Sequence, residues 1–120
     1  MMQLFKEKLL QMNFEQESET MFIKKILKPL FTTSSTWGVF AFCEDGKYYF
    51  SSDCYLVEAF DAPDVDIDFM LEEIDREIGK FGCFLRGSNI VKIIDIKNIE
   101  RDLEKFISAV LRVDEMYKSL

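Results

Sequence analysis

The sequence predicts an α+β domain with an antiparallel sheet of about four to five strands, flanking helices and a long C-terminal helix. Two hairpin patterns predict the sheet, one over residues 36–50 and one over residues 83–94. Two stretches with helical spacing of apolar residues, 67–81 and 99–118, predict the longer helices. No internal repeat or composition shift divides the chain, so residues 1–120 form a single domain.

The first hairpin has the sequence TWGVFAFCEDGKYYF. Two apolar sets alternate along its first strand: Trp37, Val39, Ala41 and Cys43, and Gly38, Phe40 and Phe42. Alternation with a period of two places these sets on opposite faces, so we expect both faces to be covered. Asp45 and Gly46 form the turn, because a type I′ turn needs positive φ at both central positions.

The N-terminal half of the chain supplies a helix and one further strand. Residues 1–12 have an amphipathic pattern, and the polar residues 13–19 predict a loop. Residues 20–27 predict a strand rather than a helix, because Pro29 and the Thr/Ser run at 32–36 end the segment abruptly.

The C-terminal half continues with helices and the second hairpin. Asp53 is placed to cap a short helix that reaches Phe60, and Pro63 marks a turn. Gly82 is placed to end the 67–81 helix in a left-handed conformation. The second hairpin turns around residues 86–89. The last helix would be roughly 30 Å long, enough to cover a small sheet.

Composition restricts the class of protein. Apolar residues make up 48% of the chain, which argues against disorder, and no apolar run could span a bilayer. The N-terminus has Glu7 among its lysines and no cleavage site for a signal peptide. Cys43, Cys54 and Cys83 are odd in number and lie in apolar surroundings, so we expect reduced thiols and a cytoplasmic location.

The chain contains no histidine. This removes the commonest general base, the triads that depend on it, and most zinc and iron sites. Much of the catalytic repertoire is therefore missing, although enzymes of other kinds remain open.

Short motifs in the middle of the chain resemble a known family. A strand ends in Lys28-Pro29-Leu30-Phe31, a later strand ends in Tyr49-Phe50-Ser51-Ser52-Asp53, and the final helix contains Phe106-Ile107-Ser108-Ala109-Val110. Over residues 20–117 the chain resembles the small bacterial and phage family catalogued as domain of unknown function 1828. Where that family has more acid and a glycine, this chain has Ser52 and Cys54 around Asp53. The resemblance implies a phage or prophage setting and brings no established activity.

The most unusual feature of the chain is an acidic segment, residues 58–77. It holds nine acids against one base, Arg76, so its net charge is −8 while that of the whole chain is −7. The acids are Glu58, Asp61, Asp64, Asp66, Asp68, Glu72, Glu73, Asp75 and Glu77. Asp66 can cap the following helix and Asp68 can favour its positive end. Local helix chemistry does not explain the acids from Glu72 onward.

Two interpretations of this segment stay open. It can be a solvated helix face that keeps the protein soluble. It can also be a surface that engages a protein partner with a basic groove, such as a channel built for phosphates. Direct binding of nucleic acid is disfavoured, because the phosphate backbone would repel so acidic a surface.

Metal and cofactor motifs match poorly. Asp64, Asp66 and Asp68 have the alternate spacing of a calcium loop. That loop needs glycine where Phe69 stands and prefers glutamate where Asp75 stands. No glycine-rich phosphate loop is present, and we expect no cofactor.

A catalytic alternative rests on the first hairpin. Asp45, Lys47 and Asp53 could belong to a metal-dependent nuclease site, although the turn already explains Asp45 and Gly46. The hairpin aromatics could also form a stacking platform for single-stranded nucleic acid, but few cations lie near them, so core packing is favoured.

We therefore expect a non-enzymatic acidic protein-interaction module. Its sharpest form is a phage-encoded inhibitor of a host nucleic-acid-handling or defence enzyme, an anti-CRISPR-like role that uses the acidic segment. A nuclease-like domain and a structural oligomer are the alternatives. We expect the final helix to shield one face of the sheet. The N-terminal helix then either shields the other face or packs against a second copy of the chain. A homodimer is expected if an apolar sheet face stays uncovered.

Overall fold

The computed structural model describes residues 1–26, 37–52 and 56–120, apart from the side chains of Val57 and Glu58. The predicted Thr/Ser loop, Pro29, the predicted cap Asp53 and Cys54 lie outside the described residues. The strands are β1 Glu15–Gln16, β2 Met21–Ile26, β3 Trp37–Glu44, β4 Lys47–Ser52, β5 Cys83–Arg86 and β6 Asn89–Ile93. The helices are α1 Met2–Gln11, α2 Leu56–Ala59, α3 Ile67–Gly79 and α4 Ile99–Lys118, with a 3-10 turn at Ile96–Asn98 before α4.

The predicted α+β class is confirmed. One antiparallel sheet has the strand order β1-β2-β3-β4-β6-β5, so it has six strands rather than four to five. The additional strand is β1, inside the segment predicted as a loop, where Glu15 pairs with Ile23 and Gln16 with Phe22. Both β1 residues are polar and exposed, so no apolar alternation marks them as a strand.

The first hairpin forms as predicted. Asp45 has φ 51° and Gly46 has φ 76°, the positive values that a type I′ turn requires. Glu44 pairs with Lys47 across this turn, and the register continues to Val39 opposite Ser52. The turn fixes which residues of β3 and β4 share a face.

The helices pack on one face of the sheet. The register aligns Phe22, Ala41 and Phe50 in a row on this face. The ring of Phe5 on α1 lies 6.0 Å from that of Phe22, and the ring of Phe106 on α4 lies 6.0 Å from that of Phe50. The N-terminal helix therefore does not shield the opposite face, because it shares the first face with the C-terminal helix.

We call the opposite side of the sheet the open face. Its residues include Met21, Ile23, Phe40, Phe42, Tyr49, Ser51, Phe84, Arg86, Val91 and Ile93. Among the described residues, the buried apolar side chains of α1, α3 and α4 belong to a core that contains no member of the open face. Phe40 and Phe42 are half-buried and Ile93 is 49% exposed, whereas Tyr49, Ser51 and Val91 are buried, so this face is only partly open.

A polar network joins the end of α3 to the sheet and to α4. Gly82 has the predicted left-handed conformation, with φ 74°, but the helix already ends at Gly79, so Gly82 closes the turn that follows it. Beside it, the buried Nζ of Lys92 donates to the carbonyl oxygens of Phe81 at 3.2 Å and Gly82 at 3.5 Å. The same Nζ lies 3.9 Å from Oδ1 of Asp102, whose Oδ2 accepts the Asp95 N–H at 2.8 Å. This network was not predicted from the sequence.

Candidate functional site

Two acids of the segment 58–77 serve the fold. The carboxylate of Asp66 accepts the N–H of Phe69 at 3.2 Å, the predicted N-cap of α3. The carboxylate of Asp75 accepts the N–H of Leu85 at 2.9 Å. Leu85 lies on β5, the last strand in the sheet order, so Asp75 occupies part of the outer edge of the sheet.

Two further acids are neutralised by nearby cations. Glu73 pairs with Arg76 one helical turn away. Glu77 accepts from Lys80 at 2.9 Å and from Arg112 of α4 at 3.0 Å. These hydrogen bonds, first that from Lys80, lower the pKa of Glu77, and the hydrogen bond to Glu77 raises the pKa of Arg112. Glu77 thus links α3 to α4.

Four acids remain available to a partner. Asp61, Asp64, Asp68 and Glu72 are exposed, and within the described ranges none of them forms a hydrogen bond or an ion pair. Asp61 and Asp64 lie in the turn before α3, and the other two lie on the helix. The side chain of Glu58 lies outside the described part of the structure. Four of the nine acids predicted as a partner-binding surface are therefore both exposed and unpaired in the described ranges.

An exposed aromatic side chain lies between two of these acids on α3. Phe69 is 57% exposed, and Asp68 and Glu72 lie one residue before it and three residues after it on α3. Nine residues separate Phe69 from the buried Ile78, which puts them on opposite sides of the helix. Phe69 was not predicted as a site residue, yet a signal was present: it falls outside the apolar stripe of its own helix.

We call Asp61, Asp64, Asp68, Phe69 and Glu72 the α3 surface. A large exposed apolar side chain flanked by acids has the composition of a binding hot spot, in which an aromatic anchor fills a pocket and neighbouring side chains supply complementary charge. The structure adds no support for a calcium site, because the carboxylate of Asp66 is engaged as the cap of α3. No group of three metal-ligating acids or cysteines occurs in the described residues.

Two of the three predicted nuclease residues, Asp45 and Lys47, lie at the first turn. Asp45 and Lys47 are exposed at the β3–β4 turn, while Asp53 lies outside the described residues. Asp45 occupies a left-handed turn position, which accounts for its presence without a catalytic role.

The hairpin aromatics divide between the two faces. Trp37 and Phe50 belong to the core, and Tyr48 packs against it, as favoured from the sequence. Phe42 stacks on Tyr49 at 5.4 Å on the open face, and the guanidinium of Arg86 lies 4.7 Å from the Tyr49 ring centroid. This aromatic cluster beside a cation was not predicted, because Arg86 lies 37 residues further along the chain.

The cysteines show no paired state among the described residues. Cys43 is half-buried and Cys83 is buried, and both are free thiols. Burial raises the pKa of Cys83 to about 11, so its thiol stays protonated and unreactive near neutral pH. Cys54 lies outside the described residues.

Comparison with known proteins gives no match to a protein-family model, to a curated protein or to a solved structure. The likeness to domain of unknown function 1828 therefore rests on the quoted sequence motifs alone. None of the helices in the described ranges combines the length and apolar character that crossing a lipid bilayer requires.

Proposed function

We propose that this chain is a non-enzymatic binding protein that engages a basic groove on a protein partner through the α3 surface. The observation that supports the proposal is Phe69, which is 57% exposed on a helix whose other large apolar residues are at least half-buried. Keeping a phenylalanine in water forgoes the free energy that its burial would contribute, of order 2 kcal/mol. A partner that covers Phe69 recovers that free energy.

Charge supports a basic partner. The four unpaired acids on α3 and in the turn before it would attract lysine and arginine side chains and speed the encounter with them. In the sharpest form of the proposal, the partner is a host enzyme that handles nucleic acid, in the cytoplasm, and the α3 surface occupies its phosphate channel. The phage-like resemblance of the sequence adds the expectation that this enzyme belongs to a host defence system.

The test uses two sets of charge reversals. The first variant carries Asp64→Lys, Asp68→Lys and Glu72→Lys, and a separate variant carries Phe69→Ala. The matched control carries Glu17→Lys, Glu19→Lys and Glu104→Lys, which are exposed acids elsewhere on the molecule. We leave Asp75 unchanged because it holds Leu85, so that its reversal would alter the fold.

Each variant is used as bait in a bacterial lysate, and captured proteins are quantified by mass spectrometry. We expect one partner to bind the wild type and the control, and to be lost with either α3-surface variant. Phe69→Ala is expected to weaken binding at least tenfold, since a hot-spot truncation costs about 2 kcal/mol or more. The purified partner should then lose nucleic-acid binding when the wild-type protein is added.

The stability of each variant provides the necessary control. Exposed substitutions normally shift the free energy of unfolding by less than about 0.5 kcal/mol, so all variants should unfold at similar temperatures. A partner captured equally by the wild type and the α3-surface variants, with unchanged unfolding, would sink the proposal. If the control variant also fails to capture the partner, the loss is caused by the change in net charge and not by the α3 surface.

A further inference from the structure

A groove of about 350 Å³ runs across the open face, on the other side of the sheet from the helices. Met21, Phe40 and Phe42 line its apolar end, and Arg86 and Asn89 line its polar end. The groove spans the sheet from β2 to β5, which is four strand spacings, or roughly 19 Å at about 4.8 Å each. Its volume falls in the range of sites for small molecules.

A serine hydroxyl without a partner in the described chain lies in the groove. Ser51 is only 9% exposed, and the register places it on the open face between Phe40 and Val91. Its hydroxyl makes no hydrogen bond to any part of the chain that the structure describes. The hydroxyl oxygen is not fully buried, so it is reachable from the groove and can exchange a hydrogen bond with a polar group bound there.

Arg86 supplies the charge at the polar end. Its Nη1 donates to Oε2 of Glu44 at 3.3 Å, and the two side chains are 45% and 54% exposed. Such an exposed pair contributes little and exchanges easily with another carboxylate. Because a guanidinium offers five donors in a planar fork, Arg86 can hold an incoming carboxylate at two points while stacking on Tyr49.

We propose that this groove binds a small amphiphilic carboxylate, a single apolar chain with one anionic head. The chain lies along Met21, Phe40 and Phe42, and the head takes the place of Glu44 at Arg86 near the Ser51 hydroxyl. The apolar end excludes a ligand that is charged along its length, and Arg86 disfavours a cationic head. This site is separate from the α3 surface and does not depend on the function proposed for it.

The full chain is titrated with decanoate below its micellar concentration, and binding is followed by the chemical shifts of the backbone amides. We expect saturable shifts at Ser51, Val91 and Arg86, with α3 unaffected. Decylamine and decanol have the same chain without the carboxylate and are expected to bind at least tenfold more weakly.

Two substitutions at the Arg86–Glu44 pair are expected to change the affinity for decanoate in opposite directions, and two further substitutions serve as comparisons. Arg86→Gln removes the charge-assisted contact and should weaken decanoate binding about tenfold. Glu44→Gln removes the internal competitor and should tighten it. Arg101→Gln removes an exposed cation of α4 and should leave the affinity unchanged. Ser51→Ala is expected to weaken binding of decanoate but not of decanol.

The proposal is overturned if decanoate produces no saturable shifts on the open face. It is equally overturned if Arg86→Gln binds decanoate as tightly as the wild type while unfolding at the same temperature, or if decylamine binds equally well. Binding of peptides with a free C-terminus, without binding of decanoate, would assign the groove to a protein partner instead.

Discussion

Gly82 is constrained by both its own conformation and a neighbouring ammonium group. Its φ of 74° favours glycine, and a Cβ at this position would come within 2.7 Å of the Lys92 Nζ. That Nζ is held by carbonyl oxygens and by the nearby Asp102, so it cannot move aside freely. A side chain at position 82 would therefore be disfavoured twice, by the backbone conformation and by contact with the Lys92 ammonium group.

We predict that Gly82→Ala lowers the free energy of unfolding by about 2–3 kcal/mol, of which about 1 kcal/mol comes from the backbone. Gly46→Ala is the matched control, because Gly46 has a similar φ of 76° and no atom lies within 4 Å of the position that a Cβ would take there. It should lose only the backbone part. Denaturant unfolding measures both variants.

The Lys92 contact can be separated from the backbone effect. In a Lys92→Met background, Gly82→Ala and Gly46→Ala should cost nearly the same, although Lys92→Met itself destabilises by about 3 kcal/mol because it leaves Asp102 without its cation. Equal losses in the wild-type background would show that Lys92 yields to the new methyl group.

At the level of elements, α3 protects the edge of β5. The Asp75 carboxylate accepts the Leu85 N–H from outside the sheet. A strand edge with free N–H groups is a template for pairing with another chain, and a charged side chain at the edge prevents this. Asp75 therefore serves the fold by covering the sheet edge, whereas Asp66 caps α3 and Glu77 links α3 to α4.

We predict that Asp75→Ala speeds amide hydrogen exchange at Leu85 more than at any other residue of β5, and lowers stability by about 1 kcal/mol. Glu72→Ala, on the same helix but without a hydrogen bond among the described residues, is the control and should change neither quantity. If amide exchange at Leu85 is unchanged, the hydrogen bond from Leu85 to Asp75 does not protect the strand edge, and the prediction is wrong.

The elements that the sequence predicted best are those with strong local signals. The Asp-Gly turn and the apolar periodicity of residues 99–118 each define an element without reference to distant residues. The strand β1 was missed because Glu15 and Gln16 have no apolar pattern and pair only because β2 is beside them. The division of the acids could not be predicted either, since Glu77 meets Arg112 across 35 residues.

For the whole molecule, the open face raises the question of self-association. Ile93 is 49% exposed there, pairs with Tyr49, and does not line the groove. An apolar patch of this kind favours pairing when it exceeds a few hundred Å². Because α1, α3 and α4 pack on the other face, a second copy is the candidate we test for covering the part of the open face around Ile93.

We predict a weak dimer, measured by sedimentation over a hundredfold range of concentration. Ile93→Lys should abolish it by placing a charge on the open face. Leu10→Lys replaces a residue of α1 that is 45% exposed and should leave it intact. A monomer at every concentration, or a dimer broken only by the α1 substitution, would eliminate the open face as the interface.

The strand order has a consequence for how the chain folds. Strand β6 lies between β4 and β5, and Ser51 pairs with Val91, about 40 residues later. Strands β1 to β4 pair with neighbours in sequence, and so do β5 and β6. The pairing of β4 with β6 instead closes a long loop, and closing that loop costs conformational entropy. During synthesis, the inner edge of β4 therefore stays unpaired until the ribosome has released residues as late as Ile93.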